Sequence, residues 1–127
     1  MKNSAYVRAE HLALVIVCGA LALVHFGEVS WARFIAAFVI IDLVGYVPGA
    51  IAAKRAAGGR IAPLFHHLYN VTHSYLTWAA IACAWAAALG RFEWAMLAIP
   101  IHLSGDRGLF GNAEKPVSLP FEPEAAS

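Results

Sequence analysis

Charge is scarce in this 127-residue chain: Asp, Glu, Lys and Arg together make up 13% of it. A water-soluble domain carries roughly 25%, and with about half of that a globule of this size lacks the polar groups to cover its surface. The solvent this composition fits is lipid, in line with 61% hydrophobic residues and a mean hydropathy of +0.65. High apolar and aromatic content with few charges is also the opposite of a disordered composition. A net charge of +1 leaves no basic field for nucleic acid. Cysteine is nearly absent as well. Cys18 and Cys83 each lie inside an apolar run, with no C-x-x-C pair, so neither a disulfide framework nor a zinc knuckle is indicated and both read as small buried hydrophobes. Missing too is a small-x-small cleavage site. Glu10 and His11 precede the first apolar run and His25-Phe26-Gly27-Glu28 follow it, so that run reads as a retained span rather than a leader.

What the chain does hold is a series of apolar segments, and a membrane-crossing helix needs about 20 such residues. Four stretches approach that length, at residues 10–26, 31–53, 64–89 and 92–110. The fourth is the weakest, since it contains Pro100, His102 and Asp106; Pro100 would leave the Met96 carbonyl without its helical partner and so predicts a bend. The expected fold class is all-α: a polytopic membrane protein with four transmembrane helices in one small bundle over residues 1–111. A flexible, solvated Pro/Glu-containing tail is expected over 112–127. Basic residues set the orientation. Lys2, Arg8, Lys54, Arg55, Arg60, Arg107 and Lys115 fall on one side of such a bundle, against Arg33 and Arg91 on the other, which predicts both termini to be cytoplasmic. Trp31 and Trp94 fall at the opposite interface as aromatic anchors.

Ionisable groups inside lipid cost roughly 3 kcal/mol or more each, so they face the bundle interior and pair or bind something. Here they are patterned. His66, Asn70 and His73 are spaced i, i+4, i+7 and share one helical face, which Thr77 extends. His102 and Asp106 are an i, i+4 pair, a spacing at which two side chains can hold one ion. Asp42 is followed by Gly45 and Gly49 on its own face, which lets a neighbouring helix come close. In a four-span topology Asp42, His73 and His102 all lie roughly 12–18 Å inside the cytoplasmic boundary, at about 1.5 Å of rise per residue. Asp106, His66 and Glu10 are shallower in the same half. Carboxylates mixed with imidazoles suit a divalent metal, zinc first and iron or manganese next. With an open coordination position such a metal makes a nucleophile of bound water. An Asp106/Arg107 ion pair would compete for that carboxylate.

The elements Arg8-Ala9-Glu10, Asp42-Leu43 with Gly45-Tyr46, Tyr69-Asn70-x-x-His73 and His102-x-x-x-Asp106-Arg107 together resemble a family of small bacterial integral-membrane proteins, domain of unknown function 4260. The similarity extends over nearly all of the chain up to the tail, and the last two elements are the more specific. It implies a multi-pass protein of the bacterial inner membrane, and it is what adds Glu10 to the site. The chain departs from the family in having Gly108-Leu109-Phe110-Gly111-Asn112 after Asp-Arg, and in the His66-His67 pair, so His66 rests on its spacing alone. A weaker likeness, over a smaller part of the chain, is to the YdjM-type membrane-bound metal-dependent hydrolases, through Thr72-His73-Ser74 and the later His-x-x-x-Asp. It implies a metal and hydrolysis of a lipid or phosphoester.

The resulting expectation is a metal-dependent, hydrolase-like membrane enzyme acting on a lipid or membrane-associated substrate. His73, His102 and Asp106 are the expected ligands, with His66 a further candidate and Asp42 a fourth ligand or the general base. Glu10 supports a ligand or donates a proton, and Asn70 orients substrate or water. Two rival readings stand beside it. The chain could be a non-enzymatic accessory subunit of a larger membrane complex, or a homo-oligomer, packing through the small-residue stretch Ile81 to Leu89. It could also be an oxygen-activating di-iron protein, although the Glu-x-x-His pairs of such bundles are missing.

Overall fold

The computed structural model describes residues 2–122, so the end of the expected tail, with Pro123, lies outside the described residues. Helix α1 (Ala5–Val24) opens at Ser4, whose hydroxyl accepts from the Val7 amide and caps the helix. Helices α2 (Trp31–Gly45) and α3 (Val47–Arg55) continue one rod that breaks at Tyr46, because Pro48 has no N–H to give to the carbonyl one turn back. Helix α4 (Pro63–Thr72) begins on a proline, where no donor is needed. Helix α5 (Tyr75–Leu89) stops at Gly90, which adopts φ +73°. A 3₁₀ turn, Trp94–Leu97, leads into α6 (Ala98–Gly108). No strand occurs among the described residues.

Two of these rods, Ala5–Val24 and Trp31–Arg55, are long and apolar enough to cross a membrane. They are exposed for most of their length, with 11% and 22% of the apolar stretch buried, whereas the core helix of a soluble protein is covered. The third and fourth expected spans are built differently. The stretch 64–89 divides at His73 and Ser74 into α4 and α5. Thr72 turns its hydroxyl back onto the Leu68 and Tyr69 carbonyls, 2.9 and 3.1 Å away, and such back-bonding competes with helix continuation. Ser74 is extended, and the Thr72 carbonyl accepts from the Trp78 indole at 2.6 Å instead of from the next turn. In the stretch 92–110 the α-helix proper is 11 residues long. Pro100 lies in its first turn, where the missing N–H removes no bond. The expected bend is thus taken up by the preceding 3₁₀ turn.

Helix α1 lies along α6, and α2 packs against α4 and α6. One apolar cluster, Ile41, Trp78, Ile99 and Leu103, sits where α2, α5 and α6 meet. The N-terminal cations also have a structural task. Arg8 donates to the Gly108 and Leu109 carbonyls and Lys2 to that of Phe110, neutralising the C-terminal end of α6. At the other end of the bundle Arg33 makes a two-pronged pair with Glu93, 2.7 Å on each arm, and His25 stacks on Trp94.

The segment after α6 departs from the expectation of a solvated tail over its described part, 112–122. Phe121 is fully buried in a second cluster with Ala53 and Tyr69. Its ring fills the space over Gly49, where an added Cβ would lie 2.7 Å from a ring carbon. The composition of the segment misleads because its prolines and charges are those of a solvated stretch, yet one phenylalanine anchors it and Lys115, Pro116, Pro120 and Glu122 are half-buried against the helices. Phe121→Ala is expected to lower unfolding free energy by about 3–5 kcal/mol, measured as thermal or denaturant unfolding in mild detergent. An unchanged transition would mean that the segment is not docked.

Candidate metal centre

Four side chains from three separate helical stretches converge. Asp42 comes from α2 one turn before the Tyr46 break, His73 from the end of α4, and His102 and Asp106 from successive turns of α6. One ligand atom from each lies within 4.8 Å of all the others. His73 Nε2 is 3.2 Å from Asp42 Oδ1 and 3.3 Å from Asp106 Oδ2, and His102 Nε2 is 3.4 Å from each of the same two oxygens. Two ligands held at about 2.0–2.1 Å from a tetrahedral ion are roughly 3.3 Å apart. The four sides of this group match that spacing. Its side chains are graded in exposure, from 3% for His102 and 8% for His73 to 20% for Asp106 and 44% for Asp42. Asp42 is therefore the most accessible of the four, and it lines the cleft beside them.

The hydrogen bonds around the imidazoles bear on what the group holds. His73 Nδ1 faces the Tyr69 carbonyl at 3.0 Å and the Thr72 hydroxyl at 3.1 Å. A proton on Nδ1, donated to that carbonyl, leaves the Nε2 lone pair pointing at two carboxylates, as in a metal-binding histidine whose other nitrogen is tied to the backbone. The ring is held from both ends. Tyr69 stacks on it at 3.9 Å and 15°, and Arg107 donates to the His73 carbonyl at 3.0 Å. Arg107 further lies over the Tyr75 ring, so the competing Asp106/Arg107 pair does not arise among the described contacts. His102 packs against Phe38; its buried Nδ1 has no hydrogen-bond partner among the described residues, while Nε2 faces the two carboxylate oxygens at 3.4 Å. A proton or a cation at Nε2 therefore meets negative charge from both Asp42 and Asp106, and only Nδ1 is left without an acceptor.

The group opens on a cleft of about 780 Å³ lined by Asp42, His73 and Asp106 on one side and by Tyr46, Tyr69, Phe121 and Glu122 on another. Other residues singled out from the sequence lie elsewhere. Asn70 is committed to the main chain of Lys115, accepting from its N–H at 2.7 Å and donating to its carbonyl at 3.0 Å. His66 is buried, faces the same carbonyl at 3.3 Å and packs edge-on against Phe121. The i, i+4, i+7 stripe thus divides, with His73 at the ligand group and the other two residues fastening the C-terminal segment. Glu10 sits on the exposed side of α1 and is not one of the four. Sequence reasoning missed Tyr69, Thr72 and Phe38, which orient the imidazoles. Tyr69 and Thr72 carried some signal, as parts of the Tyr69-Asn70-x-x-His73 and Thr72-His73-Ser74 elements, and Phe38 carried none. Compared with family models, curated proteins and solved structures, the chain matches none of them.

Proposed function

We propose that the chain is a multi-pass protein of the bacterial inner membrane, with four helical crossings and both termini cytoplasmic, that binds one divalent metal and hydrolyses a lipid or membrane-associated ester. Kinship with domain of unknown function 4260 is part of this proposal. The observation that carries it is the convergence of two imidazole nitrogens and two carboxylate oxygens at ligand spacing beside an open cleft. Two apolar rods, the apolar outer surface and the one-sided basic residues support the membrane placement.

His73, His102 and Asp106 hold the ion, zinc being the first choice for two imidazoles and a carboxylate. Bound there, it supplies Lewis acidity and lowers the pKa of a coordinated water toward about 7. Asp42, the most exposed of the four, is placed to act as general base. It takes a proton from water as the water oxygen bonds to the ester's phosphorus or carbonyl carbon. The bond to the leaving alcohol breaks, and Asp42 returns the proton to the departing oxygen.

The test is elemental analysis of protein purified in mild detergent without chelator, with about one equivalent of metal expected. Absence of metal would overturn the proposal and favour a buried polar network in an accessory subunit. Asp42→Asn separates the roles. It is expected to retain metal within about tenfold of wild-type affinity while lowering hydrolysis at least 100-fold. Loss of metal equal to that in Asp106→Ala would make Asp42 a ligand only.

A further inference from the structure

We infer that the wall of the cleft formed by Tyr46, Tyr69, Phe121 and Glu122 is a recognition site for an ammonium group, so that the substrate is an ester bearing a positively charged amine of the ethanolamine or choline type. This rests on the reading of the same cleft as a metal-dependent ester site.

Three rings from three parts of the chain stand around one point. Tyr46 lies at the break between α2 and α3, Tyr69 on α4 and Phe121 in the C-terminal segment. Their centroids are 6.1–6.4 Å apart, with Tyr69 steeply inclined to both of the others. The Lys115 ammonium sits among them, 4.5 Å from the Phe121 centroid, 4.9 Å from Tyr69 and 5.8 Å from Tyr46. All three distances fall within the roughly 6 Å over which a ring face attracts a cation. The Phe121 carbonyl accepts from the same ammonium at 2.6 Å. A box of this kind presents negative potential from several sides at little desolvation cost, the arrangement that selects alkylammonium ions over neutral groups.

A second observation points to a ligand beyond Lys115. Glu122 lines the same cleft, and its Oε1 is buried with no hydrogen-bond partner among the described residues. A buried carboxylate oxygen left in that state is costly, and the positive charge of an ammonium arriving from the cleft would offset that cost. The box also adjoins the metal ligands through a shared residue, since Tyr69 both stacks on His73 and holds its Nδ1. A ligand with an ammonium joined to a phosphoester by a short linker therefore meets complementary chemistry at both of its ends.

Lys115 is then a resident occupant on a tether. Its main chain is fixed by Asn70 at both the N–H and the carbonyl, so only the flexible side chain needs to swing aside for an incoming ammonium. A tethered competitor acts at an effective concentration of about millimolar or more, and the wild-type box is accordingly weak for a free cation.

The experiment titrates choline into zinc-loaded protein in an uncharged maltoside detergent, followed by calorimetry, with metal content measured on every sample. Lys115→Ala, which keeps the main-chain anchor, is expected to bind choline about tenfold tighter than wild type. Tyr46→Leu added to it should weaken binding about three- to tenfold, and the neutral carbon analogue 3,3-dimethylbutanol should not bind. Lys115→Met, which fills the box with an uncharged chain, should retain metal and bind no choline. Competition by choline-headgroup lipid in nanodiscs would identify a lipid as the source of the ammonium, and competition by free phosphocholine alone a soluble ester; either upholds the inference. Lys115→Ala with full metal content and no gain in choline binding overturns the ammonium site while leaving the metal centre in place. Absence of metal in every sample removes the proposed function itself.

Discussion

His73→Ala is expected to reduce bound metal from about one equivalent to less than a tenth, with at least a 100-fold loss of affinity. Even residues that merely orient a ligand alter metal affinity about 10- to 100-fold, and His73 contributes one of two nitrogens in a group of four. Its ring is also the best prepared of the four, with Nδ1 committed to the Tyr69 carbonyl and Tyr69 stacked on its face. Alanine therefore removes a ligand whose orientation is already fixed, together with the stack that organises α4 against the cleft. His66→Ala is the matched control. It deletes the same residue type from the same helix, two turns earlier, where the imidazole faces the Lys115 carbonyl. Stability should fall with that variant and metal content should not. Equal metal loss in both would show that His73 acts through folding rather than ligation, and retention in both would remove His73 from the centre.

The contrast between these two histidines also shows what was legible in the sequence. Ionisable residues are rare in this chain's apolar stretches, and Asp42, His73, His102 and Asp106 stand out there because lipid tolerates such groups only when something binds them. Spacing established that His102 and Asp106 share a face, and comparable depth suggested that the other two could reach them. Helical periodicity, however, identifies a face and not the neighbour opposite it. His66, Asn70 and His73 form one stripe in sequence, yet the break after Thr72 turns His73 toward α2 and α6 while the other two meet Lys115. That break depends on a hydroxyl returning to its own helix, which a threonine does in some contexts and not in others. The C-terminal segment was the least legible part. Its charges and prolines have the composition of a solvated tail, and its docking rests on Phe121 finding the space over Gly49 and on two hydrogen bonds to Asn70, none of which leaves a periodic trace. Glu10 was brought in by family resemblance, and its exposed position on α1 puts it among the residues whose substitution should leave metal content unchanged.

The second large effect is expected at a residue with no side chain. Gly45→Ala should weaken metal binding at least tenfold and lower stability by about 1–3 kcal/mol, the usual range for overpacking a tight contact. Gly45 is buried where α2 meets the end of α4. A Cβ built there would overlap the Thr72 hydroxyl, lie 2.9 Å from Thr72 Cβ and come within 3.3 Å of His73 Cε1. A rotamer change moves the Thr72 hydroxyl but not its Cβ, which the main chain fixes, so the two helices must separate. Asp42 is one turn back on α2 and His73 directly follows Thr72, which means that the same separation pulls a carboxylate away from an imidazole now 3.2 Å distant. A displacement of about 1 Å is enough to spoil a constellation of this kind. Thr72→Ala removes the overlapping hydroxyl, and in combination with Gly45→Ala it should restore part of both losses, giving a favourable coupling of at least 0.5 kcal/mol in a double-mutant cycle. Metal stoichiometry and detergent unfolding read on the four proteins decide the matter: Gly45→Ala indistinguishable from wild type in both would mean that α2 and α4 do not approach at Gly45, and with that contact gone the position of Asp42 beside His73 would have no structural support.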